Sequence, residues 1–136
     1  MSYVLDTTAI SDLMRGELAT VGRLEREARS EVWIPQPVVS EISYGLARMR
    51  ASKRRDVLEQ RFGELLHVIG RIEWTDDVSR RFGDAKAALE RRGERLDDFD
   101  LAIAAHGLAY EATVVTANLR HLSRVPGLKV ERWSGG

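Results

Sequence analysis

The sequence predicts an α/β fold with a mostly parallel sheet of about five strands, covered by helices on both faces. Short apolar runs alternate along the chain with segments of helical periodicity, the pattern of a sheet wound by crossover helices. Acidic residues follow two of these runs and open one apolar helix, the junctions where open α/β sheets place their chemistry. The 136 residues contain no cysteine, so a hydrophobic core alone must hold the fold.

Tyr3-Val4-Leu5 is the first strand and delivers Asp6 to its C-terminal end. A short helix around Ile10 to Arg15 stops near Gly16, and Leu18, Val21, Leu24 and Ala28 then form the apolar stripe of a second helix. Val32-Trp33-Ile34 is the second strand. Pro37 suits the first position of the next helix, where its missing N–H costs nothing. Val38, Ile42, Leu46 and Met49 make that helix's buried stripe, and Glu41 lies roughly 110° from the stripe's centre, so it flanks the core.

Arg48 to Arg55 is a basic stretch with two readings, a solvated helix face or contacts to RNA phosphates through Arg48, Arg50, Lys53, Arg54 and Arg55. A helical segment carrying Val57, Leu58, Phe62, Leu65 and Leu66 follows, then a short strand at Ile72-Glu73-Trp74. Thr75 reads as an N-cap with Asp76 and Asp77 in the first turn. Val78, Phe82, Ala85 and Leu89 repeat at helical spacing until Gly93. From Phe99 to Leu108 nearly every position is apolar or small, which predicts a helix buried on most sides. Thr113 to Thr116 and Lys129 to Arg132 supply the last two strands.

With no linker, repeat or low-complexity tract, residues 1–134 read as a single domain. A chain of this length buries roughly 65–70% of the surface its unfolded form exposes. The absence of cysteine excludes thiolate zinc sites and thiol nucleophiles. His67, His106 and His121 are scattered, with no second ligand-type histidine at helical spacing, which argues against an imidazole-rich metal site. The N-terminus lacks the basic and apolar regions of a signal peptide, and no stretch approaches the ~20 apolar residues of a membrane span. A cytoplasmic protein is expected. Its 21 basic and 21 acidic side chains balance, so any nucleic-acid affinity must come from local patches.

Asp6, Glu41 and Asp100 are the residues that point to chemistry. Each has an ordinary alternative: Asp6 as a turn or cap residue, Glu41 as a solvated helix carboxylate, and Asp100 as half of a capping arrangement with Asp97. Ala104 and Gly107, on the face of Asp100, leave room beside it. Convergence on one sheet edge would change the reading, because two carboxylates about 4 Å apart repel by roughly 4 kcal/mol at an effective dielectric of 20. Three such groups call for a cation, and all-oxygen ligation suits Mg²⁺ or Mn²⁺ rather than zinc.

The segments Leu5-Asp6-Thr7, Val39-Ser40-Glu41-Ile42-Ser43-Tyr44-Gly45-Leu46, Asp100-Leu101-Ala102-Ile103-Ala104-Ala105 and Val114-Val115-Thr116-Ala117-Asn118, followed by Val125-Pro126-Gly127-Leu128-Lys129-Val130, resemble the successive motifs of PIN-domain ribonucleases. The likeness runs from residue 3 to about 133 and is strongest to the VapC-type toxins of bacterial toxin–antitoxin pairs. It implies a PIN-like three-layer α/β/α fold and a Mg²⁺- or Mn²⁺-dependent endoribonuclease that cuts structured RNA, tRNA or rRNA. Asp6, Glu41 and Asp100 take the positions of the family's metal-binding acids, and Thr116 that of a hydroxyl which organises the site. The resemblance further implies a homodimer held inactive by a cognate antitoxin.

Two departures accompany it. Asn118 and His121 occupy the turn where the family often has a fourth acid, and Thr8 stands where it often has asparagine. Asn118 is expected to line the site as a neutral hydrogen-bonding group. A housekeeping nuclease of RNA maturation and a catalytically silent RNA- or partner-binding module are the other readings.

Overall fold

Tyr3–Leu5 (β1) is buried along its whole length, and its chain leads straight into Thr7–Arg15 (α1). A computed structural model describes residues 1–135. Asp6 is itself the N-cap of α1, accepting the Ala9 N–H, so the helix begins three residues earlier than the apolar spacing indicated. Gly16 ends it at φ 76°, a conformation that favours glycine. Leu18–Arg26 (α2) stops short of Ala28, and a 3₁₀ turn at Arg29–Glu31 leads into Val32–Pro35 (β2).

Pro35 caps Gln36–Ala47 (α3), which places Pro37 inside the first turn, where its ring is still tolerated. Lys53–Val68 (α4) and Gly70–Ile72 (β3) follow. The third strand thus lies two residues before the predicted Ile72-Glu73-Trp74. It is an edge strand with only Ile72 buried, so it lacks the apolar alternation that marks a strand in sequence. Thr75 caps Asp76–Arg91 (α5) as its hydroxyl and the following acids indicate. Asp98–Ala109 (α6), Thr113–Val115 (β4), the short Leu119–Leu122 (α7) and Lys129–Glu131 (β5) complete the chain.

All four strand pairings are parallel, in the order β3-β2-β1-β4-β5, and the helices cover the sheet as a three-layer α/β/α fold. The chain moves outward from β1 through β2 to β3, then returns across β1 to β4. This reversal makes the β1–β4 boundary the topological switch point, the place where open α/β sheets bind ligands beyond the carboxyl ends of their strands. The core joins Val4 and Leu5 of β1, Ile34 of β2, Val114 of β4, Val38 of α3, and Leu101 and Ile103 of α6, all essentially inaccessible to water. Gly107 allows α6 to sit this close: a Cβ there would meet Val114 Cγ2 at 2.6 Å and Leu128 Cδ1 at 3.0 Å. The room expected beside Asp100 at Gly107 is therefore taken by the sheet.

Candidate active site at the carboxyl edge of the sheet

Asp6 emerges from β1 at the switch point, its backbone N–H extending the ladder to the Val115 carbonyl at 3.0 Å. The residue is 4% exposed. Oδ1 accepts from the Ala9 N–H at 2.9 Å and from the Thr8 hydroxyl at 2.7 Å, so the cap uses one carboxylate oxygen and leaves Oδ2 outside it. The two readings of Asp6, cap and site residue, are compatible in one side chain. Burial pushes its pKa up, while hydrogen bonds from Thr116, Ala9 and Thr8 pull it back toward the ionised form.

Glu41 reaches the same edge from α3. Thr7, at the start of α1, donates its hydroxyl to Glu41 Oε1 at 2.5 Å across 34 positions of sequence. Asp100 comes from the first turn of α6. Asp97 alone caps that helix, its carboxylate accepting the Phe99 N–H at 2.8 Å, and Asp100 takes no part in the cap. Burial, followed by the negative charges of Asp97, Glu41 and Asp6, lifts the Asp100 pKa from 3.8 to about 6, with His121 acting in the opposite direction. Asp100 thus lies within electrostatic reach of both Asp6 and Glu41.

Thr116 is buried at the end of β4 and accepts the Asn118 N–H at 2.8 Å. The exposed side chain of Asn118 meets His121, whose Nδ1 lies 2.8 Å from Oδ1. Thr8, noted in the sequence only as a replacement, has a structural task. While donating to Asp6 it accepts the Ala117 N–H at 2.9 Å, tying the β1–α1 turn to the β4–α7 turn. Nothing local in the sequence announces this bond, because its partners are 109 positions apart.

The donors are oxygen throughout: three carboxylates and the Thr116 hydroxyl, with no imidazole or thiolate among them. Burial first, and then the charges of Asp97, Glu41 and Asp6, raise the pKa of Asp100, and only His121 offsets them. Both properties fit a hard divalent cation. Among the described residues no three His, Cys, Asp or Glu side chains lie close enough together to form a metal-binding cluster.

Comparison with known proteins gives a consistent picture. Residues 3–128 match the family described as PIN domain. Ribonuclease VapC2 of Rickettsia felis is 27% identical, with 98% of each chain covered. The tRNA(fMet)-specific endonuclease VapC of Salmonella typhimurium is 25% identical, again over 98% of both. Among solved structures, VapBC2 from Rickettsia felis bound to a DNA fragment from its promoter superimposes with a TM-score of 0.87 at 26% identity, covering 98% of this chain and 99% of that one.

Proposed function

Because the chain belongs to the PIN domain family, we propose that it is a VapC-type endoribonuclease toxin, dependent on Mg²⁺ or Mn²⁺ and acting in the cytoplasm on structured RNA, tRNA or rRNA. The observation that carries this reading is the placement of Asp6 and Glu41 at the carboxyl edge of the sheet, each held by a threonine hydroxyl, with Asp100 close enough to feel both charges.

Asp6, Glu41 and Asp100 would hold the ion through carboxylate oxygens. When bound, a divalent ion lowers the pKa of a coordinated water and stabilises charge on a phosphoryl oxygen. The chain's own contribution is orientation. Thr7 fixes Glu41, Thr8 and Thr116 fix Asp6, and α6 presents Asp100 at its N-terminal end, where the helix dipole favours a carboxylate by about 0.3–1 kcal/mol. Asn118, drawn to His121, stays at the rim and adds no charge, so a second ion would be held weakly.

A cleft of about 240 Å³ opens beside Glu41, floored by Met14, Ile42, Leu46, Met49 and Leu58. It suits an apolar segment of a cognate antitoxin, which would block access to the acids. Tyr44 and Val57, 66% and 44% exposed on α3 and α4, offer apolar surface for a homodimer. Light scattering at micromolar concentration should give twice the monomer mass.

The deciding experiment incubates purified protein with total RNA and maps new 5′ ends. Cleavage is expected with Mg²⁺ or Mn²⁺, absent after chelation, and lost in Asp6→Asn with the fold intact by circular dichroism. Full activity in chelator would overturn the metal reading. Metal-replete protein that binds RNA without cutting it would favour the silent module, the reading that Asn118 in place of a fourth acid supports.

A further inference from the structure

Next to the apolar cleft, and sharing Arg15, Arg54 and Leu58 with it, lies an open cleft of about 490 Å³ between α1 and the N-terminal half of α4. Arg15, Lys53, Arg54 and Arg61 wall it over a floor of Val57 and Leu58, and no carboxylate lines it. We infer that this cleft is a track for the sugar-phosphate backbone of the RNA substrate, binding phosphates on one flank of the scissile bond. The inference rests on the ribonuclease reading of the adjacent acids.

Four cations converge because of helical spacing. Arg54, Leu58 and Arg61 recur at i, i+4 and i+7 and Lys53, Val57 and Arg61 at i, i+4 and i+8, while Asp56 and Glu59 fall on other faces of α4 and Glu64, one turn beyond Arg61 on the same face, accepts from Gln60 outside the lining. Most of the remaining basic stretch is engaged elsewhere. Arg55 pairs with Glu59 and donates to the Met49 carbonyl, and Arg48 lies over the Tyr44 ring. Arg50 lies outside the lining.

Within the cleft, Arg15 shares its charge with Asp12, and Arg61 donates to the Met14 carbonyl at 2.7 Å while meeting no carboxylate. Lys53 and Arg54 form no ion pair among the described residues. They also occupy the first turn of α4, the end at which positive charge opposes the helix dipole. Local helix stability would favour acids there. Cations kept against that preference and left unpaired beside a catalytic edge fit a polyanion, since counterion release from phosphates makes each such contact favourable.

The continuity of the two clefts gives the direction. From Thr7 and Glu41 the surface runs past Met49 and Leu58 to Arg54, and from there into the cationic cleft. A strand whose scissile phosphate faces the acids would lay its neighbouring phosphates along Arg54, Lys53 and Arg61.

The test measures binding of a fluorescein-labelled RNA oligonucleotide to the full chain by anisotropy at several salt concentrations, and cleavage of the same RNA separately. Lys53→Gln with Arg54→Gln should weaken binding roughly tenfold and flatten the slope of log Kd against log salt by about 1.4, the loss of two single-strand phosphate contacts. It should raise KM with kcat little changed, and Arg54→Lys should preserve the slope. Melting at or above the parent's temperature would exclude unfolding as the cause. An unchanged slope in a variant that still cuts would overturn the track while leaving the ribonuclease reading intact. Lost inhibition by the antitoxin with unaltered RNA binding would likewise overturn it, assigning the cleft to a peptide. If no RNA is cut yet the slope responds, the ribonuclease reading fails and the cleft stands.

Discussion

Thr7 and Glu41 are joined side chain to side chain at 2.5 Å, so the residue after one site carboxylate positions another. Removing the hydroxyl while keeping the shape, as in Thr7→Val, should free the Glu41 rotamer. A hydrogen bond to a charged acceptor is worth about 1.5–3 kcal/mol, so cleavage should fall about ten- to a hundredfold. Thr7→Ser should restore most of it. Equal rates in Thr7→Val and the parent would show that Glu41 needs no anchor.

Asp100 gives a prediction in which function and stability move in opposite directions. Its folded pKa of about 6 lies above the ordinary 3.8, so the folded chain holds this proton more tightly than the unfolded one. Metal-free protein therefore loses stability as pH rises from about 4 to 6, and the loss persists above. Asp100→Asn should raise the stability of chelated protein at pH 7.5 by about 1 kcal/mol, after allowance for solvent screening of a half-exposed side chain. It should give no gain at pH 4 and should abolish cleavage at both. A gain independent of pH would contradict the proposed charge crowding.

His106 titrates in the opposite sense. It is fully buried, with Nδ1 donating to the Ala102 carbonyl at 2.7 Å and Nε2 without a partner, next to the edge-on Trp74 ring. Burial holds its pKa below the ordinary 6.5, so its contribution is intact above that pH and is lost as pH falls. Between pH 7.5 and 5.5 the parent should lose up to about 1.4 kcal/mol more than His106→Leu, the cost of one proton bound only by the unfolded chain. Urea titrations at the two pH values measure the difference, and parallel losses would remove His106 from the account.

Gly107→Ala tests how closely α6 is seated. The added methyl would meet Val114 and Leu128 at 2.6 and 3.0 Å. Overpacking of this kind costs about 1–3 kcal/mol against a helix-propensity gain of about 1 kcal/mol. A net fall in the melting temperature is expected.

Asn118→Asp should tighten Mn²⁺ binding in titration calorimetry by adding charge at the site's rim. Unaltered affinity and stoichiometry would place position 118 outside the metal site.

Much of the fold was legible because buried strands and amphipathic helices leave periodic traces. β1, β2 and β4 are apolar runs, and α5 announces itself through Thr75 and the spacing of Val78, Ala85 and Leu89. The edge strand β3 was displaced by two residues because Gly70 and Arg71 face solvent and Trp74 looks strand-like while packing on His106. The acids could be picked singly, but their meeting depends on β4 lying beside β1, a long-range pairing without a local signal. For the same reason the double role of Thr8 and the close packing at Gly107 could not be read from neighbours in sequence.

The pairing of β1 with β4 also bears on how the protein is made. Tyr3 aligns with Val32, which is synthesised early, and with Thr113, which comes near the end. A nascent chain that has reached Glu111 already holds Asp6, Glu41 and Asp100. It lacks the Val115 carbonyl that fixes the Asp6 backbone and the Ala117 N–H that fixes Thr8. Assembly of this edge of the sheet therefore waits until translation has passed Ala117, and fragments released from stalled ribosomes would carry the acids without these two bonds.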